Sequence, residues 1–165
     1  MPLNKDNIEM LWDTITPKLY GYLVHILHDR NLANDILQTT WLKATEALPS
    51  FKEHTGVNFS SWLFTIARNE CKQHWRKSGR EVSFDVLLHD KETVNSNKEN
   101  EIFVDQIMSR LPIDDRELIR LHYIADLPLN DIAKILKINP VTARVRMHRA
   151  LAFAKIILKN QNKYE

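Results

Sequence analysis

The sequence predicts an all-α protein: two small helical domains joined by a flexible acidic linker, the second containing a helix-turn-helix. Three observations predict it. Only three Gly and six Pro occur in 165 residues, so long segments are free of both helix breakers. Apolar residues recur at helical spacing along nearly the whole chain, not with the alternation of a strand. One stretch, GREVSFDVLLHDKETVNSNKEN at residues 79–100, loses that periodicity and turns acidic and polar, as a tether between folded units does. The expected division is a first domain over 1–79, a linker over 80–100 and a second domain over 101–165.

Composition narrows the function classes. An apolar content of 44% and a charged content of 27% are those of an ordinary globular chain, which excludes wholesale disorder. The single cysteine, Cys71, excludes an internal disulfide framework and a multi-cysteine zinc site. The opening MPLNKDNIEMLW carries acids and no apolar core, unlike a signal peptide. No run approaches the ~20 apolar residues that span a bilayer. The expectation is a cytoplasmic protein with no membrane insertion. Net charge is only +2, but it is unevenly spread. Residues 81–105 hold Glu81, Asp85, Asp90, Glu92, Glu99, Glu101 and Asp105 against Lys91 and Lys98. Residues 132–164 hold Lys134, Lys137, Arg144, Arg146, Arg149, Lys155, Lys159 and Lys163 against no acid. That asymmetry points to a polyanionic partner for the basic segment.

The spacing predicts helices at 7–27, either continuous or interrupted before Pro17, then 32–48, 59–78, 101–111, 114–124, 129–137 and 140–159. In the first, His25 and His28 stand three apart and could ligate a metal, but no carboxylate-rich helix completes the shell, so no metal or cofactor is expected. The second helix gathers Ala33, Ile36, Leu37, Trp41, Ala44, Ala47 and Leu48 in one core arc of about 140° at ~100° per residue. Opposite lie Asp35, Gln38, Thr39, Leu42, Thr45 and Glu46, so Leu42 interrupts a polar face. With Gln38 and Asp35 one and two turns earlier, it is a candidate anchor for a protein partner, although isolated surface leucines are common.

On the third helix Thr65, Arg68, Asn69, Lys72 and Arg76 share an arc of about 100°, a continuous basic and polar stripe. Trp62 and Trp75 are expected near its edges, and Phe51 and Phe59 flank the loop FKEHTGVNF. Cations beside aromatics suit a single strand, whose phosphates need charge and whose exposed bases need a stacking surface; a solvated face beside core tryptophans is the plainer alternative.

The last two helices have the length and punctuation of a helix-turn-helix: 129–137, a tight turn at Ile138–Asn139, then a helix with Pro140 in its first turn. Ala143, Met147, Ala150, Leu151 and Ala154 form the expected inner stripe, and Thr142, Val145, Arg146 and Arg149 face away, free to enter a major groove. Arg149 is the candidate base reader, Arg146 the candidate phosphate grip and Thr142, near the helix N-terminus, a phosphate ligand.

Taken together, NDILQTTWLKATEALPSF, FSSWLFTIARNECKQHWRK and LPIDDRELIRLHYIADLPLNDIAKILKINPVTARVRMHRAL, in that order and spacing, resemble a bacterial RNA polymerase sigma factor of the extracytoplasmic-function group, within the sigma-70 family. The resemblance covers about nine tenths of the chain. It implies a non-enzymatic factor that binds core RNA polymerase at the clamp coiled coil of the largest subunit, melts the minus-10 promoter element with its first domain and reads the minus-35 element as duplex with its second. Asp35 and Gln38, with Leu42 on the same face, match the polymerase-contacting helix. Asn69 and Lys72 match the helix that meets the melted strand. Arg144, Val145, His148 and Arg149 match base and phosphate contacts, with Thr142 beside them. An anti-sigma factor is a further candidate partner. Three departures stand out: Thr39 where the family usually has Glu, which weakens the polymerase contact or shifts it to Glu46; Lys137 where a Gly or small residue precedes the turn, implying a non-glycine in a left-handed or distorted conformation; and Val145 for a frequent Ser, exchanging a hydrogen bond for apolar contact such as a thymine methyl would offer. A stand-alone helix-turn-helix regulator would account for the last helix but leaves the Asp35–Gln38–Leu42 face and the Thr65–Arg76 stripe without roles.

Overall fold

Leu19, Tyr22, Leu23, Ile26 and Leu27 repeat at three- and four-residue steps, and each is essentially inaccessible to solvent, so that one face of a long helix is committed to a core. That helix is α1, Lys5–Leu27, in a computed structural model that describes residues 5–51, 58–79 and 106–161. The expected linker and the start of the helix expected at 101–111 lie outside the described residues. Of the two readings open at Pro17 the continuous one holds: it sits inside α1 without interrupting it. Its missing N–H costs one intrahelical bond, and because both Pro17 and Asp13 are exposed, the freed Asp13 carbonyl can turn to water.

α2, Arg30–Ala47, begins two residues earlier than its apolar pattern suggests, because Asp29 caps it: from an extended conformation its carboxylate accepts the Leu32 N–H at 3.0 Å. The helix closes in a short 3-10 turn, Leu48–Ser50. α3, Phe59–Lys77, is capped by Asn58, whose side-chain oxygen accepts the Ser61 N–H at 2.7 Å. It ends where Gly79 takes a φ of +73° and donates its N–H to the Arg76 carbonyl, the left-handed exit that glycine takes without strain.

The chain divides into two units, residues 1–81 with 124–126, and residues 82–123 with 127–165. In the first, α1 packs on α2 and α2 on α3. Ile36, Trp41 and Ala44 of α2 and Leu63, Phe64, Ala67, Cys71 and Trp75 of α3 join the α1 residues in the core. Tyr22 meets Phe64 edge to face at 5.5 Å.

In the second unit, α4 (Ile113–Tyr123), α5 (Leu129–Leu136) and α6 (Pro140–Gln161) all pack on one another. Residues 106–110 are helical as expected. Arg116, buried in α4, donates from Nε to the Leu111 carbonyl at 2.9 Å and from Nη2 to that of Ser109, tying the end of this helical segment to α4. Burial, and then the charge of Arg120, hold the Arg116 guanidinium below the ordinary arginine pKa. Every regular element among the described residues is helical, in agreement with the expected all-α class.

Candidate nucleic-acid interface

The geometry of α6 is set by the turn before it. α5 ends on Lys137 at φ 55°, ψ 42°, a left-handed non-glycine, as the departure at this position implied. The Ile138 N–H reaches back to the Ala133 carbonyl at 2.9 Å and the Lys137 N–H to the Lys134 carbonyl at 3.2 Å, the paired bonds of a Schellman closure. Two residues later Asn139 caps α6, its side-chain oxygen accepting the Val141 N–H at 2.8 Å, and Pro140 takes the first helical position, where its missing N–H costs nothing.

On α6, Ala143, Met147, Ala150 and Ile157 are buried, while Leu151 and Ala154, expected with them, are only half-buried. Directly opposite are Val141 and Val145, 58% and 59% exposed, and His148. Arg144 and Arg149 stand exposed on either side of this ridge, with Thr142 and Arg146 half-buried further round. The centre is thus two valines and an imidazole and its borders are cationic, a profile suited to thymine methyls and base acceptors on a groove floor with phosphates on the walls. Sequence reasoning left out Val141; its place four residues before Val145 was the available signal.

Spacing along the chain does not reveal that Arg146 and Arg149 both find acids on α4. Arg149 Nη2 donates to both carboxylate oxygens of Asp115, at 2.9 and 3.1 Å. Arg146 approaches Asp114 at 3.9 Å, with the Asp114 side chain 60% exposed, a separation at which an exposed pair is worth little.

In the first unit, α2 turns Asp35, Gln38 and Leu42 to solvent, Leu42 being 61% exposed, with Thr45 and Glu46 beside them. The Thr39 hydroxyl donates to the Asp35 carbonyl at 2.9 Å, so this threonine, where the resemblance implies a glutamate, uses its polar group within the helix. On α3, Asn69 and Arg76 are exposed, and Thr65, Arg68 and Lys72 are half-buried; Arg68 and Lys72 have partners within the protein. Lys43 of α2 pairs with the buried Glu70 of α3, locking the two helices together.

The aromatics divide differently from expectation. Trp75 is 3% exposed and belongs to the core, since its position follows Leu63, Ala67 and Cys71 down the inner face. Trp62 is half-buried and packs with Phe51 at 4.8 Å and Phe59 at 5.5 Å. Phe59 continues to Trp41, and Trp41 to the partly exposed Trp12, at 6.0 and 4.4 Å. Of the two tryptophans expected beside the stripe, Trp62 alone stays out of the buried core.

No helix among the described residues is long and apolar enough to cross a membrane. Residues 11–81 match the family model of sigma-70 region 2, and residues 104–153 that of sigma-70 region 4. The chain is 30% identical over 156 residues to the RNA polymerase sigma factor SigZ of Bacillus subtilis, covering 93% of this chain and 88% of that protein. It is 30% identical over 149 residues to the RNA polymerase sigma-H factor of Pseudomonas aeruginosa, covering 81% of this chain and 76% of that one. Among solved structures, the sigma factor RpoE of Bartonella quintana, co-crystallised with the anti-sigma factor NepR, superposes with a TM-score of 0.72 at 26% identity, over 93% of this chain and 98% of that chain. Two helical units carrying these faces, each matched in order by a family model and joined in relatives of nearly the same extent, show that the chain belongs to the sigma-70 family of RNA polymerase sigma factors.

Proposed function

We propose that this sigma factor docks on the clamp coiled coil of the largest subunit of core RNA polymerase through Asp35, Gln38 and Leu42. Thr65, Arg68, Asn69, Lys72 and Arg76 then hold the melted minus-10 strand, and Thr142, Arg144, Val145, Arg146, His148 and Arg149 meet the minus-35 duplex. The functional divisions are residues 1–79 for polymerase binding and melting, 80–100 for the linker and 101–165 for upstream recognition. The observation that carries the reading is the α6 ridge, where Val145 and His148 stand at the solvent pole between Arg144 and Arg149.

The factor works by binding alone, in the cytoplasm, with no catalytic step and no cofactor. Phosphate contacts along α3 and capture of unstacked bases offset the few kcal/mol, roughly, that unstacking a promoter step requires. An anti-sigma factor is a further partner, a reading supported by the Bartonella quintana relative, whose structure was determined with one. Transcription in vitro with bacterial core polymerase and a promoter library tests the whole: adding the protein should create starts at a defined subset of promoters, and the absence of any promoter-specific start would refute it.

A further inference from the structure

We propose that Asp115, on α4 and outside the recognition helix, positions Arg149 for reading a minus-35 base pair and at the same time masks its charge from phosphates. The inference rests on the assignment of Arg149 to the DNA-facing surface. Asp115 is fully buried, with its side chain 1% exposed, whereas the Arg149 side chain is 59% exposed. Arg149 therefore runs from solvent to a buried anion, and the anion is a fixed point.

Both Asp115 oxygens converge on the single nitrogen Nη2. Among the described residues, no other bond engages Nη1 or Nε. The side chain is thus held at one nitrogen with donors to spare, an arrangement that restricts its rotamers before DNA arrives and so reduces the freedom lost on binding. A free arginine would be drawn to any phosphate, because that attraction depends on net charge and not on sequence. Paired with a buried carboxylate, the guanidinium keeps its hydrogen-bond donors but presents little net charge at a distance. The pair favours an acceptor at a defined place over the nearest phosphate, and so supports discrimination at the expense of non-specific grip. The adjacent Asp114, exposed and 3.9 Å from Arg146, provides no comparable anchor, so the two neighbouring acids differ in role.

The test uses full-length protein with core polymerase on minus-35 variants over a range of salt concentrations, comparing the parent with Asp115→Asn, Arg149→Ala and the double variant. Asp115→Asn should reduce discrimination by about tenfold at the same base pair that Arg149→Ala relaxes, while making the salt dependence steeper by roughly one charge. The double variant should behave as Arg149→Ala alone. Asp115→Ala, a smaller residue in the first turn of α4, carries the same expectation if Asp115→Asn fails to fold. If an Asp115 variant leaves both discrimination and salt slope unchanged, the residue is a structural anchor only and the proposal falls, whatever the melting temperature does. If Arg149→Ala leaves every base preference intact, the assignment of Arg149 as a reader falls as well. Relaxation in Arg149→Ala without any in the Asp115 variants overturns the positioning role alone.

Discussion

At the scale of single residues, the recognition helix separates its cations by their surroundings. Arg146 is half-buried toward the inner edge and only loosely approached by Asp114, so its charge remains available to a phosphate. Arg146→Ala should weaken transcription from all minus-35 variants about equally and flatten the salt dependence by roughly one charge. Arg149→Ala should instead relax preference at one base pair, by ~1–3 kcal/mol of discrimination. Transcription from a panel of minus-35 variants at several salt concentrations distinguishes the two. Uniform loss in both variants would mean that the helix holds DNA by charge alone.

At the scale of elements, the turn between α5 and α6 aims the recognition helix, and it is closed by a strained residue. Lys137 adopts a left-handed conformation that costs an L-residue about 1–2 kcal/mol. Glycine removes that strain but gives back roughly 0.4–1 kcal/mol through the greater freedom of the unfolded chain. Lys137→Gly should therefore stabilise the second unit by about 0.5–1 kcal/mol, raising its melting temperature by several degrees. Thermal unfolding of the full chain checks this; a lower melting temperature would show that the lysine stem contributes packing that outweighs the strain.

On α3 the expected division of labour is between recruitment and melting. Arg76 is exposed, and Lys72 lies one turn before it on the same stripe. Lys72→Ala combined with Arg76→Ala should reduce open-complex formation more than initial recruitment, read by permanganate reactivity of unpaired thymines. If the variant melts a preformed closed complex as well as the parent, the stripe is only solvated surface.

At the scale of the whole molecule, the two units must act on one promoter while the protein is held by polymerase, so the docking proposed for the α2 face is the interaction on which the others would depend. Asp35, Gln38 and Leu42 are all exposed and contribute nothing to the described core. Replacing all three with Ala should abolish co-purification with core polymerase and leave the circular dichroism melt unchanged within ~0.5 kcal/mol per site. Retained co-purification would move the docking surface elsewhere, with the exposed Glu46 the next residue to replace.

Helical periodicity, caps and breakers are local properties, and they are why the sequence by itself determined the all-α class, the order of the helices, the turn before α6, and the solvent-facing positions of Leu42 on α2 and of Val145 and Arg149 on α6. Burial at the edge of a helix face depends on what packs there, which periodicity does not contain; hence Trp75 turned into the core and Leu151 stayed half-exposed. The outcome at Pro17 is open in the sequence for the same reason, since the carbonyl that the proline strands must find water, and periodicity does not say which carbonyls solvent reaches. The pairing of Arg149 with Asp115 spans 34 residues. Only the packing of α4 against α6 brings that buried carboxylate to the guanidinium, because side chains that far apart in the chain meet only when tertiary contacts fix the distance between their helices.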